Sequence, residues 1–115
     1  MHAGSCHCGA VRFEAEVDLT TLAVCNCSMC GRTGAIMVFV PRAHLHPLAG
    51  EELLTDYQFG KKSLHHAFCS VCGVRLYAWG AGHDGAEWAM VNVRCLDGVD
   101  TNTLTIGKQY DGKNL

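Results

Sequence analysis

Apolar and charged side chains alternate over Val11-Arg12-Phe13-Glu14-Ala15-Glu16-Val17, the two-residue period of a strand with one buried face. Ala35-Ile36-Met37-Val38-Phe39-Val40-Pro41 is instead a continuous apolar run stopped by proline; it is too short to stand as a helix and reads as a buried strand. Leu53 to Phe59 ends at Gly60, Val74 to Trp79 ends at Gly80, and Trp88 to Val93 runs into Cys95, each a strand-length segment bounded by a turn residue or a cysteine. The pattern predicts five strands, with a sixth near Leu104 to Tyr110. No segment keeps helical periodicity for more than about three turns, and Gly9, Gly60, Gly80 and Gly98 mark tight turns. Gly80 to Ala86 reads as a loop by composition. The fold class expected is mainly β.

Composition narrows this picture without changing it. The chain has 115 residues, 49% hydrophobic and 17% charged, values typical of a globular domain, and one domain spanning 1–115 is expected. Nine Lys and Arg stand against eleven Asp and Glu, and a net charge of −2 offers no electrostatic footprint for nucleic acid and no polybasic face for a membrane. The longest apolar run, Ala35 to Val40, is far below the ~18 residues of a membrane span. Met1-His2-Ala3-Gly4-Ser5 has neither the basic start nor the apolar stretch of a secretion signal, so the expected compartment is a reducing cytoplasm.

Eight cysteines change the picture. In a reducing compartment a disulfide framework is disfavoured and metal binding favoured. Seven of the eight fall in three clusters: Cys6-His7-Cys8, Cys25-Asn26-Cys27-Ser28-Met29-Cys30 and Cys69-Ser70-Val71-Cys72. Zinc is the first candidate, because its d10 shell accepts four thiolates tetrahedrally with no redox requirement. Cys69-x-x-Cys72-Gly73 has the form of a zinc-knuckle turn, and Cys6 and Cys8 complete a closed, structural four-thiolate site if the N-terminus folds back on the middle of the chain. Cys25, Cys27 and Cys30 offer only three thiolates, which leaves a fourth position for water or substrate, as a catalytic zinc requires. Three thiolates and one Zn(II) sum to −1, a weak Lewis acid for water but a competent holder of an incoming thiol. Two alternatives stand beside this: a purely structural site completed by Cys95, His65 or His66, and an iron-sulfur cluster, although no ferredoxin spacing occurs. Cys95 itself, alone at a strand end, is either a small apolar filler or a redox nucleophile. Tyr57, Phe59, Phe68, Tyr77, Trp79 and Trp88 are core or pocket wall.

The motifs Cys6-His7-Cys8-Gly9, Cys25 to Cys30, Tyr57-Gln58-Phe59-Gly60, Phe68 to Gly73 and Asn92 to Asp97 occur in the order that resembles the family of glutathione-dependent formaldehyde-activating enzyme and centromere protein V. The Cys25 to Cys30 run and the Val74 that follows the knuckle look closer to the centromere protein V branch. The resemblance implies a β-tent fold of antiparallel sheets stapled by zinc. It also implies two zinc ions per chain, a structural one on Cys6, Cys8, Cys69 and Cys72 and a catalytic one on Cys25, Cys27 and Cys30. The activity implied is that of a carbon-sulfur lyase on a small thiol or its aldehyde adduct, with glutathione and formaldehyde giving S-hydroxymethylglutathione in the named enzyme. Arg32, Arg42, Lys61, Arg75 and Arg94 are candidate partners for the carboxylates of a glutathione-like substrate. The rival expectation is a non-catalytic zinc module that binds a protein partner.

Overall fold

A computed structural model describes residues 1–60, 64–82 and 84–114. Three short strands, β1 (His2–Ser5), β2 (Arg12–Ala15) and β5 (Leu45–Ala49), form one sheet in the order β1-β2-β5. The other seven are β3 (Ala23–Cys25), β4 (Met37–Pro41), β6 (Leu54–Tyr57), β7 (Leu64–Cys69), β8 (Arg75–Ala81), β9 (Glu87–Asn92) and β10 (Lys108–Tyr110). They form a second sheet in the order β10-β3-β4-β9-β8-β7-β6. This is the expected mainly β fold, with its strands in two sheets. Among the described residues every strand pairing is antiparallel except that of β10 with β3, which is parallel.

The alternation in β2 turns Phe13 and Ala15 inward and leaves Arg12 exposed. Phe13 meets Tyr77 of β8 edge to face at 5.5 Å between ring centroids, so the core lies between the three-stranded sheet and one face of the larger sheet. Register carries that inner face across the larger sheet as the row Val38, Val91, Tyr77, Ala67. Gly4 makes the close approach possible. A Cβ there would stand 2.6 Å from Phe13 Cζ and 2.7 Å from the Cys95 carbonyl oxygen, where real side-chain carbons are not found.

The opposite face of the larger sheet carries a different row, Phe39, Met90, Ala78, His66 and Tyr57, with Trp88, Gly80 and Leu64 beside it. A single-turn helix, α1 (Cys30–Thr33), closes with Gly34 at φ 66° in the left-handed region. The segment expected as a loop begins later than its composition suggests: Gly80 and Ala81 complete β8, and the turn starts at Gly82. No helix among the described residues is long and apolar enough to cross a membrane.

Candidate metal centres

All eight cysteines are free thiols, and seven of them gather into two groups whose sulfurs lie within 4.8 Å of one another: Cys6, Cys8, Cys69 and Cys72, and separately Cys25, Cys27 and Cys30. The first group forms where the β1-β2 turn of one sheet meets the β7-β8 turn of the other. Each turn carries a cysteine pair followed by a glycine. Gly9 donates to the Cys6 carbonyl (3.2 Å) and Gly73 to that of Cys69 (2.8 Å), and each glycine has φ 80°, a conformation strained for any other residue. Backbone N–H groups of Val11 and Val71 each point at a sulfur from 3.4 Å, Cys6 and Cys69 respectively. The N–H groups of Cys8 and Val74 pull the Cys72 thiol down to about 6, and donors aimed at sulfur favour the thiolate that a metal needs.

Sulfur separations of 3.6 Å (Cys6 to Cys8) and 3.8 Å (Cys8 to Cys69) match the edge of a zinc-thiolate tetrahedron, about 3.8 Å for Zn–S bonds of ~2.3 Å. The donor set and its spacing therefore fit zinc. Cys6 and Cys69 are buried in the main core while Cys8 is exposed, so an ion here would tie both sheets at one end of that core.

The second group sits on the outer face of the larger sheet. Cys25 ends β3, Cys27 lies in the turn and Cys30 opens α1, so one short loop carries all three sulfurs. The N–H of Cys27 approaches Cys25 Sγ at 3.4 Å and that of Cys30 approaches Cys27 Sγ at 3.3 Å. Burial opposes ionisation of Cys27, but the N–H of Cys30 and the neighbouring thiols outweigh it and the pKa falls. Cys30 is pushed up to about 11, by burial first and then by Cys27, while the Arg75 guanidinium on its sulfur works the other way. Arg75 also donates to Thr33 Oγ1 (3.3 Å) and lies 3.0 Å from His66 Nδ1. His66 is buried, and its pKa is lowered by that burial and then by Arg75. Arg94 reaches the Gly34 carbonyl at the end of α1 (3.4 Å), and Arg32 reaches that of Ser28 (2.8 Å). Arg75 is thus the cation that acts on a sulfur of this group, and Arg32 and Arg94 bond the carbonyls just before and just after α1. Arg42 lies elsewhere, over the Trp79 ring, and Lys61 is outside the described residues.

The chain's C-terminal segment closes over the same loop. Asn26, between Cys25 and Cys27, accepts the Lys113 N–H at 3.1 Å, donates its side-chain amide to Asp111 (2.7 Å) and donates its backbone N–H to the Tyr110 carbonyl (3.2 Å). Gly112 is thereby pressed against the sulfurs: a Cβ on it would be 2.6 Å from Cys25 Sγ.

Neither Cys95 nor either histidine completes the second group. Cys95 is buried, donates to the Arg75 carbonyl at 3.5 Å and has its thiol pushed up to about 11 by burial, the environment of an inert core cysteine. His65 pairs with Asp56 at 2.6 Å and stacks on Trp79, and His66 turns to Arg75. Among the described residues the group has three sulfur donors and no fourth side-chain ligand.

A crystal structure of a Rhodobacter sphaeroides protein is similar to this chain, with 36% sequence identity over 93% of this chain and 98% of that one and a TM-score of 0.84. The family model described as glutathione-dependent formaldehyde-activating enzyme matches residues 1–109. With that match over nearly its whole length, the chain belongs to the family of the glutathione-dependent formaldehyde-activating enzyme.

Proposed function

We propose that residues 1–115 act as one zinc-dependent carbon-sulfur lyase, forming or cleaving the bond between a small thiol and an aldehyde carbon. The observation that carries the reading is the second sulfur group: three thiols from one loop and no fourth side-chain ligand among the described residues. Cys6, Cys8, Cys69 and Cys72 hold a structural zinc in this reading, and Cys25, Cys27 and Cys30 hold the catalytic one. Zinc bound there supplies a Lewis acid that keeps a substrate sulfur as thiolate near neutral pH.

The chain's own residues do the rest. A thiolate substrate brings further negative charge to a group already at −1, and Arg75, fixed by Thr33 and His66, offsets it at Cys30. Arg32 and Arg94, which bond the carbonyls just before and just after α1, are the candidates to meet carboxylates of a glutathione-like thiol. In the forming direction a sulfur electron pair makes the bond to the carbonyl carbon, the C=O π pair moves to oxygen, and the proton lost by the thiol ends on that oxygen. Cleavage is the reverse, and the atoms balance with no further reactant.

Cys27→Ser separates this from a binding role. The variant should stay folded, bind one zinc per chain where the parent binds two, and lose acceleration of the exchange between glutathione, formaldehyde and S-hydroxymethylglutathione measured by NMR. Two zincs with undiminished exchange in the variant would refute the assignment of Cys27, and parent protein that does not accelerate exchange of any thiol-aldehyde pair would refute the lyase reading.

A further inference from the structure

A cavity of about 530 Å³ opens on the outer face of the larger sheet beside the second sulfur group. Small residues line one side of it: Gly80 of β8 lies opposite Trp88 of β9, and Ala81 and Gly82 follow, so the floor is hollow between bulky neighbours. Phe39, Leu64, Trp88, Met90 and Tyr110 contribute the walls. Phe39 and Tyr110 meet edge to face at 5.8 Å. Trp88 lies against the backbone of Gly82, where a Cβ would come within 2.8 Å of its ring, and the Gly82 turn is closed by its N–H to the Ala86 carbonyl (2.7 Å). The walls are therefore set before any ligand arrives.

Two residues join this cavity to the sulfur group. Met90 both lines it and packs against the cluster of Cys30, Ala35 and Met37, and Tyr110 lies opposite Cys25 in the β10-β3 pairing. Among the described lining residues the only charged one is Asp84, whose carboxylate also accepts the Ala86 N–H (3.0 Å). The rest of the described lining is aliphatic and aromatic, with Lys108 Nζ 5.3 Å from the centre of the Tyr110 ring, and it suits a flat hydrocarbon. Its volume is within the usual range of roughly 300 to 1,000 Å³ for organic ligands and far exceeds what a hydroxymethyl group fills.

We propose that this pocket receives an uncharged aromatic group carried by the sulfur ligand, so that the substrates are aryl-bearing thiols or thiol adducts. The inference rests on the reading that a thiol sulfur is held at Cys25, Cys27 and Cys30, and it adds the class of group attached to that sulfur.

The test uses protein in which cobalt replaces zinc, because sulfur ligation then shows as a change in the near-ultraviolet sulfur-to-cobalt charge-transfer bands and the visible d–d bands. Phenylmethanethiol and 2-mercaptoethanol, both uncharged alkyl thiols, are titrated against it. Phenylmethanethiol should reach half-saturation at a concentration lower by about tenfold or more, the benefit of burying one ring. Trp88→Ala and, independently, Phe39→Ala should remove most of that preference and leave the 2-mercaptoethanol titration unchanged. Equal half-saturation for both thiols, or a preference that survives both variants, overturns the pocket assignment while leaving sulfur ligation intact. If neither thiol changes the cobalt bands, the open-site reading fails and this inference falls with it.

Discussion

Replacing Gly112 by alanine tests whether the C-terminal segment belongs to the second metal centre. Gly112 does not need glycine for its backbone, since its φ is not positive; only space is at stake. The added methyl would stand 2.6 Å from Cys25 Sγ and 2.9 Å from Cys27 Cβ, about 1 Å inside comfortable contact. Either the sulfur moves or the segment lifts. Lifting strains the bonds from Asn26 to Lys113 and Asp111, both on exposed groups, each worth ~0.5–1.5 kcal/mol, and a forced fit costs about 1–3 kcal/mol. Because a bound metal would hold the sulfurs in place, most of that cost should fall on the metal-bound state, weakening zinc at this group by about 5- to 150-fold. The assay is competition with a chromogenic chelator, which resolves the second group from the four-sulfur group. The four-sulfur group should be unchanged, since its ligands come from other turns. Equal affinity in parent and variant, within about twofold, would refute the idea that this segment buttresses the metal loop.

Two further substitutions probe buried polar groups. His66 has its pKa lowered by burial and by Arg75, so the unfolded chain takes up a proton before the folded one does; the stability due to neutral His66 is complete above its ordinary value of about 6.5 and is lost as pH falls through the lowered one. The melting temperature of the parent should therefore fall more steeply below pH 6.5 than that of His66→Phe, and equal slopes would show that His66 contributes nothing to acid sensitivity. Tyr77 has its hydroxyl buried with no partner among the described residues and its pKa pushed up to about 12, by burial first. Tyr77→Phe should leave stability unchanged or raise it by about 1 kcal/mol in denaturant unfolding, and a loss greater than that would reveal a partner for the hydroxyl.

The strands that the apolar pattern announces are those that cross the middle of the larger sheet or face the core. β4 and β9 are central there, and their apolar runs reflect burial on the inner face together with a hydrophobic outer face. Strands that it does not announce have specific reasons for silence. β1 is His-Ala-Gly-Ser, without one branched residue, because Gly4 must let Phe13 and the Cys95 carbonyl come close. β5 contains Pro47, which reads as a break; it is tolerated because β5 is an edge strand and pairs only with β2. β7 is Leu-His-His-Ala-Phe-Cys, whose histidines look polar although His66 is buried by its contacts with Phe59 and Arg75. The sixth expected strand is present only as Lys108–Tyr110, and its parallel pairing with β3 joins segments so far apart in sequence that local pattern cannot report it.

The two sulfur groups differ in the same way. The four-sulfur set is legible from spacing because each half is a local turn with a cysteine pair and a glycine at fixed offsets, and only the pairing of the halves needs the fold. At the second group the sulfurs are equally local, but what surrounds them is not. Arg75 is one of five cations that the sequence offers on equal terms, and β8 is what carries it to Cys30. Asn26 and Gly112 have no signal at all: an asparagine between two cysteines and an Asp-Gly pair near the end of the chain both look like ordinary turn residues. Their meaning arises when β10 lies beside β3 and brings the end of the chain onto the cysteine loop. The same pairing puts Tyr110 opposite Cys25 and so builds one wall of the cavity. A single short parallel strand thus positions both the segment packed against the second sulfur group and one wall of the cavity beside it. A change that frees β10 should weaken metal retention and thiol selectivity together, whereas a change confined to Trp88 should alter selectivity alone.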